Sequence, residues 1–409
     1  MDWKILTTII LSILLVGCAA DTEPIKPADD SKATAEGVKT VVDANNQFAL
    51  DLYSKLKGEG GNVFFSPYSI STALAMTYEG ARGQTAEEMK GVFYFPDSDV
   101  MRPSFARIYN LINKEDKKYK LHTANALWAQ QDYAFLPEYL GLVEQYYGGK
   151  TTNLDFVTKT EESRKIINDW VEDKTNNKIK DLIPPGAINA MTRLVLTNAI
   201  YFKGNWLKQF KKSDTYEADF RVSPDKTVKV EMMSMSGKES KFNYAETEEL
   251  QILEMLYDGE ELSMLLLLPR EDDITALENS LTAEKLDEWK GMLREREIVV
   301  NIPKFTFETK YFMVPTLTEM GMPTAFSANA DFSGMDGTRN LFISNVIHQA
   351  FVEVNEEGTE AAAATAVIVA LTAMPTNMFI ADHPFIFIIQ ERETGDILFL
   401  GKVMDPGAE

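Results

Sequence analysis

The stretch VNEEGTEAAAATAVIVALTAMPTN, running from Val354 to Asn377, decides how the rest of the chain is read. From Ala361 to Ala381 it carries no charged residue, in a chain whose formal charge is -21. Three structures suit such a run: a membrane span, an alanine-rich helix, or a strand that forms in only one of two states. Its 21 uncharged residues are long enough for a span, but Pro375, Asn377 and several threonines interrupt it, and strand-like sequence lies on either side. Ala361 to Ala364 favour helix. Val367, Ile368 and Val369 favour strand. As a strand, the run places Thr359, Ala361, Ala363, Thr365, Val367 and Val369 on one face, small and uncharged throughout. That face can be buried beneath a helix without desolvating an ion, while Glu360 on the other face stays at the surface. Gly358 supplies a pivot just before the run.

Working outward, the 409 residues are 45% hydrophobic and 25% charged, the balance of a folded chain with a sizeable core. Sixty-two acidic residues stand against 41 basic ones, so a nucleic-acid backbone is repelled and is excluded as a partner. The N-terminus, MDWKILTTIILSILLVGCAADTEP, has Lys4, an apolar run from Ile5 to Gly17 and then Cys18. That run is too short to span a bilayer and reads as a signal peptide, residues 1–17. LVGC resembles the lipobox of bacterial and archaeal lipoproteins, in which the cysteine is lipidated; the alternative is a plain secretory signal. Cys18 is the sole cysteine, so no intramolecular disulfide can form. Residues 18–37, rich in Pro, Asp, Lys and Ala, read as a tether, and a single domain is expected over 38–409. The destination is outside the cytoplasm: a cell-surface or periplasmic lipoprotein, or a secreted protein.

Val41, Asn45, Phe48, Leu52 and Leu56 recur at helical spacing. NVFFSPYSISTALAMTYEGARG has a Ser-Pro start, an apolar helical body and a glycine-rich stop. Thr85 and Glu88 fit a capping box. Ile166, Ile167, Trp170 and Val171 fall on one face of a helix over Glu161 to Asn176. Strand signals then dominate: Thr192 to Phe202, Leu262 to Pro269, Glu297 to Glu308, Leu341 to Asn355, and two runs after Asn377. Most are almost continuously apolar, as strands covered on both faces are. Helices early and strands late, with no repeat and no second linker, indicate one α+β domain.

Machinery for catalysis is not apparent. The histidines are His122, His348 and His383; there is no G-x-S-x-G elbow, H-E-x-x-H helix, P-loop or G-x-G-x-x-G turn. His348 sits inside an apolar strand, where a hydrogen-bonded structural role is the expectation. No cofactor and no metal are expected, and the chain reads as a non-enzyme.

Four of these segments together resemble the serpin family: NVFFSPYSISTALAM with Ser66, Pro67, Ser69 and Ile70; TNAIYFKGNW from Thr197 to Trp206; EVNEEGTEAAAATAV from Glu353 to Val367; and FIADHPFIFII from Phe379 to Ile389. They occur in order from about Val38 to Pro406. The resemblance implies a fold of three β-sheets with about nine helices, presenting an exposed reactive loop as bait to a serine protease. It implies a monomeric suicide substrate: the loop is cleaved, inserts into a sheet as a new strand, and traps the acyl-enzyme. A non-inhibitory binding or storage protein on the same fold is the alternative.

By the same resemblance, Glu356, Glu357, Gly358, Thr359, Glu360, Ala361, Ala362, Ala363 and Ala364 form the hinge. Ser66, Ser69, Asn198 and His348 form a polar shutter under the sheet. Trp206, Lys304 and Glu356 form the breach where insertion starts, with Lys304 paired to Glu356 as a surface ion pair. Counting forward from the hinge places the scissile bond at Thr372-Ala373; counting back from HPF moves it to Ala373-Met374. Leu371, Thr372, Ala373 and Met374 are small or apolar, which implies elastase-, subtilisin- or chymotrypsin-like targets, with cysteine proteases as a further class.

Overall fold

A computed structural model describes residues 26–114, 117–359 and 377–408. The signal peptide, Cys18, Glu360, Ala361 to Ala364, and the candidate scissile region Leu371, Thr372, Ala373 and Met374 lie outside the described residues.

The helices are α1 (Ala35–Leu56), α2 (Pro67–Tyr78), α3 (Gly83–Phe93), α4 (Ser98–Ile112), α5 (Pro137–Tyr147) and α6 (Thr160–Lys174), followed by the shorter α7 (Thr275–Ser280), α8 (Ala283–Met292), α9 (Val314–Met320) and α10 (Ser333–Asp336). Local chemistry sets their ends. Thr34 caps α1 by accepting from the Gly37 N–H. Ser66 caps α2 through the Ser69 N–H, with Pro67 at the first helical position. Thr85 and Glu88 do not form the expected capping box. Helix α3 starts two residues before Thr85, with Arg82 at its N-cap and no side-chain cap. Thr85 instead accepts from the Asp331 N–H, and Glu88 receives the Thr324 N–H and hydroxyl, so both tie α3 to a distant segment.

The strands are β1 (Val63–Phe65), β2 (Tyr119–Gln130), β3 (Lys150–Leu154), β4 (Leu194–Asn205), β5 (Tyr216–Ser223), β6 (Lys226–Met235), β7 (Lys241–Glu246), β8 (Leu250–Leu256) and β9 (Leu262–Pro269). They continue as β10 (Arg294–Glu297), β11 (Val299–Pro303), β12 (Phe305–Phe312), β13 (Ile343–Val354), β14 (Gly358–Thr359), β15 (Met378–Ile380), β16 (Phe385–Glu391) and β17 (Ile397–Val403). They make a seven-stranded sheet ordered β1-β17-β16-β9-β8-β7-β10, a four-stranded sheet ordered β15-β11-β6-β5, and a six-stranded sheet ordered β12-β13-β14-β4-β2-β3. The run Glu297 to Glu308, expected as one strand, is divided: Glu297 ends β10, and β11 and β12 on either side of Lys304 belong to different sheets.

Alternation along β4 sorts its side chains into two cores. Leu194, Leu196, Ile200 and Phe202 face the main core against the seven-stranded sheet; Val195 and Ala199 join Ile347 in a second core with Ile167 and Val171 of α6. Helix α6 therefore lies across the outer face of the six-stranded sheet, as its apolar stripe anticipates. Ile166 departs from that stripe and is 42% exposed.

The folded body starts before Val38. Ala28 is buried; its N–H donates to Asn110 Oδ1 at 2.8 Å and its carbonyl accepts from Asn110 Nδ2 at 2.8 Å. The Asp29 N–H donates to the Gln145 carbonyl, so residues from Lys26 onward form a strap across α4 and α5. Asn110→Ala removes both bonds to Ala28, at about 1 kcal/mol each. The expected result is faster tryptic cutting at Lys32 with a small change in melting temperature, read by mass spectrometry and calorimetry.

Candidate functional site: the opening in the six-stranded sheet

Strands β4 and β13 run parallel and are paired from Leu194 with Ile343 to Tyr201 with Phe351. Beyond that point they part, and β14 fills the gap. Thr359 pairs with Val354 on one side and Gly204 on the other, and Gly358 pairs with Asn205. The two residues of β14 run antiparallel to both neighbours. The segment from Glu356 to Thr359 is thus the start of a strand already wedged between two others.

A tight turn delivers it. The Gly358 N–H donates to the Asn355 carbonyl and the Asn355 N–H to the Gly358 carbonyl, while Asn355 Oδ1 accepts from the Glu357 N–H at 3.1 Å. Gly358 is more than a pivot. Its φ is +154° and a Cβ there would stand 2.1 Å from the Gly204 carbonyl oxygen, so only glycine lets the turn approach β4 so closely. The buried Thr359 hydroxyl meets the Tyr257 hydroxyl at 3.0 Å. Thr359 accordingly faces the main core beside Tyr257 and Phe202, on the side away from α6.

The expected breach residues come together here. The Trp206 N–H donates to the Glu357 carbonyl and its indole to the Asn355 carbonyl at 3.0 Å. Its ring stacks on Tyr257 at 4.6 Å. The Phe210 N–H holds the Glu356 carbonyl. Lys304 does reach Glu356, at 3.7 Å, but it lies nearer Glu231, at 3.0 Å. The pair is not the surface contact anticipated from sequence, because the Glu356 side chain is only 5% exposed. Its closest side-chain partner is the Thr215 hydroxyl, at 2.8 Å. Burial works to raise the Glu356 carboxyl, but its own N–H, Thr215 and Lys304 outweigh burial and hold it below the usual carboxylate range.

The shutter residues also converge, at the level where β4 and β13 are still paired. His348 stands opposite Asn198 across the parallel ladder and bonds it through Nδ1. His348 Nε2 accepts from the Ser66 N–H at 3.1 Å. Asn198 Nδ2 donates to Ser69 Oγ at 2.7 Å and to Asn125 Oδ1 at 2.6 Å. The Ser66 hydroxyl donates to the Leu398 carbonyl at 2.6 Å and not to the imidazole, so this serine–histidine contact is not an activated nucleophile. No cluster of three or more metal-ligating side chains occurs among the described residues.

The family model for serpin (serine protease inhibitor) matches residues 43–406. This chain belongs to the serpin family. It is 43% identical to an uncharacterised serpin-like protein of Thermococcus kodakarensis, over 98% of this chain and 99% of that one. Human leukocyte elastase inhibitor is 44% identical, over 89% of this chain and 98% of its own length. Among solved structures, uncleaved ovalbumin superposes with a TM-score of 0.81 at 34% identity, covering 89% of this chain and all of that one. Thyroxine-binding globulin in complex with thyroxine superposes with a TM-score of 0.83 at 30% identity, over 91% of this chain. The three sheets and the order of elements are those of this family. Serpins as a family are protease inhibitors and not catalysts.

Sequence reading missed Asn125, Tyr257, Thr215 and Asn355. Asn125 had a signal: it is an amide in the middle of the apolar run ANALWA, and it completes the shutter from β2. Tyr257 and Thr215 had none, because their roles follow from tertiary contacts with Thr359 and Glu356.

Burial pushes His348 down to about 3, against an ordinary histidine near 6.5. The unfolded chain therefore takes up a proton below about pH 6.5 that the folded serpin refuses. The stability this group contributes is complete above that pH and is lost as pH falls toward 3, at up to about 1.4 kcal/mol per pH unit. Buried Asp396, raised to about 8, acts in the opposite sense, and its effect cancels when two proteins that both carry it are compared. Between pH 7 and pH 5 the parent should lose about 2 kcal/mol more than His348→Gln, read from urea unfolding midpoints. At the hinge, Gly358→Ala should expel β14 from the gap. Faster hydrogen exchange at the Thr359 amide, with β16 and β17 unaffected, is the expected result.

Proposed function

We propose that this serpin inhibits serine proteases as a suicide substrate, by loop cleavage, strand insertion and trapping of the acyl-enzyme. The register of β14 carries the reading. Thr359 lies opposite Gly204 and Val354, so in a continued strand each further residue would step down β4 and β13 together. In that register Ala361 would meet Phe202 and Val352, Ala363 would meet Ile200 and Ala350, and Thr365 would meet Asn198 and His348. Ile200 and Ala350 are today each other's partners, as are Asn198 and His348. An entering strand thus takes a place between residues already in line to receive it, and main-chain hydrogen bonds on both sides drive its addition. Thr365 would bring a hydroxyl to the two shutter groups that must part.

The cut at Thr372-Ala373, or one residue later, would free the loop to enter, with the protease attached to the residue on its N-terminal side. Dragged to the far end of the sheet, the protease would lose its oxyanion geometry; one lost donor there slows deacylation about a hundred- to a thousand-fold. Leu371, Thr372, Ala373 and Met374 fit elastase-, subtilisin- or chymotrypsin-like enzymes, and the 44% identity to a leukocyte elastase inhibitor supports that class. We propose further that the protein acts as a monomer outside the cytoplasm, anchored by lipid at Cys18.

Denaturing gels of the serpin with a panel of serine proteases test the main reading. A denaturant-stable complex is expected with at least one elastase- or subtilisin-type enzyme, and clean loop cleavage with every enzyme would overturn it. Ala361→Pro and Thr359→Arg should convert inhibitor into substrate, raising the stoichiometry of inhibition several-fold. The likeness to thyroxine-binding globulin supports a second reading, a non-inhibitory binding protein. Under it, the melting temperature would stay flat on loop cleavage, whereas insertion raises it.

A further inference from the structure

Basic residues are the minority in this chain, 41 against 62 acidic. Yet three lysines gather near the two feet of the loop, among scattered glutamates. Lys208, Lys238 and Lys241 line one open cavity of 480 Å³, with Gln209, Met235 and Glu239. Lys208 Nζ donates to the Lys241 carbonyl and sits 5.3 Å from the centre of the Phe242 ring. Lys238 and Lys241 are exposed, and among the described residues none of the three lysines is ion-paired with a carboxylate.

The cavity adjoins both places where the described chain enters and leaves the loop. On one side, Lys208 lies between Trp206 and Phe210, whose N–H groups hold the Glu357 and Glu356 carbonyls just before Thr359. On the other, Lys241 follows Ser240, which exchanges hydrogen bonds with Ile298; the next residue, Val299, donates its N–H to the Asn377 carbonyl. An enzyme gripping the loop near either foot would come close to these lysines.

We infer that the lysine cluster is an electrostatic docking site for carboxylates on the rim of a protease seated on the loop. The inference rests on the loop being bait, as proposed above. A chain of charge -21 repels an acidic enzyme over most of its surface. Screening limits each charge to a reach of roughly 8 Å at physiological salt, so an approaching enzyme feels the local patch at close range. Attraction at the bait and repulsion elsewhere orient the encounter, and such complementarity acts chiefly on association rate. An extended polyanion suits the patch less well, since any part of it beyond the cavity meets the acidic remainder of the surface.

The test uses a subtilisin whose active-site serine is replaced by alanine, so that docking is measured without acylation or trapping. Two forms serve as probes, one with carboxylates around its substrate cleft and one with those carboxylates converted to amides. Against the first probe at low salt, Lys238→Glu/Lys241→Glu and, separately, Lys208→Gln should lower the association rate, the double variant by about tenfold. The difference should vanish at high salt and with the amide probe, and melting temperatures should match the parent. Equal rates for parent and variants with the carboxylate probe at low salt would overturn the inference, as would no association by the parent. It would also fail if inorganic polyphosphate bound the parent and not the variants while carboxylate-probe docking stayed equal, since the cluster would then be a polyanion site. Trapping on denaturing gels is read with active enzyme, so failure of the suicide-substrate reading would be seen there and not here.

Discussion

The structure depends on a mismatch in strand direction. Strands β4 and β13 are parallel neighbours in a sheet where β12 and β2, on their outer sides, pair with them antiparallel. Parallel pairing is slightly the weaker per residue, and here it is a single ladder joining two strands that arrive from distant parts of the sequence. A strand entering antiparallel to both converts that one ladder into two antiparallel ones. The gap filled by Gly358 and Thr359 is where such a conversion would start. Under the proposed function, a closed and an extended sheet would both be available to one sequence, and the extended one would have more backbone pairing.

Two polar groupings decide how readily the ladder opens. At its mouth, Trp206, Glu356 and Asn355 hold the turn by backbone carbonyls and a desolvated carboxylate. Lower down, His348 and Asn198 bridge the two strands, with Ser66, Ser69 and Asn125 meeting their remaining polar atoms. Buried polar groups are costly unless satisfied, so parting these strands exposes an unpaired imidazole and amide until something replaces them. A neutral imidazole serves here as an imidazolium would not: one nitrogen must accept from the Ser66 N–H, which requires it to be unprotonated. The network makes the closed sheet persist without making it the more heavily bonded of the two states.

Much of this was legible in the sequence because it is local. The Ser-Pro cap of α2 and the apolar runs of β4, β9, β13 and β16 follow from turn chemistry and side-chain period alone. The four motifs then placed shutter and breach residues that the fold does bring together. What was hidden is tertiary. Thr85 and Glu88 have the spacing of a capping box but bond Asp331 and Thr324, because helix α3 begins earlier and these side chains meet a segment far away in sequence. The continuous apolar run across Lys304 conceals a change of sheet, since two covered strands in series look like one long one. Lys304 and Glu356 looked like a surface pair because charge in a sequence carries no depth; the fold buries the acid and leaves the base half-exposed.

The demand on side-chain size is two-sided. Inner residues in the register of Thr359 must fit beside Phe202, Ile200 and Leu196 in the main core, already filled against the seven-stranded sheet. Outer residues must fit against Ala199 and Val195 in the second core, roofed by Ile167 and Val171 of α6. Close-packed interiors have no spare volume on either side, so large side chains on either face would have to displace the sheet or the helix. An alternation of small inner and bulky outer residues would satisfy one core and fail the other. If the loop enters as proposed, the unbroken alanines from Ala361 to Ala364 would satisfy both, a run small on every face where an ordinary half-buried strand would alternate. Glu360 is the exception that the geometry permits. Extended in the register of Thr359, it would stand beside Lys203 and Glu353, both half-exposed, so a carboxylate there would stay wet.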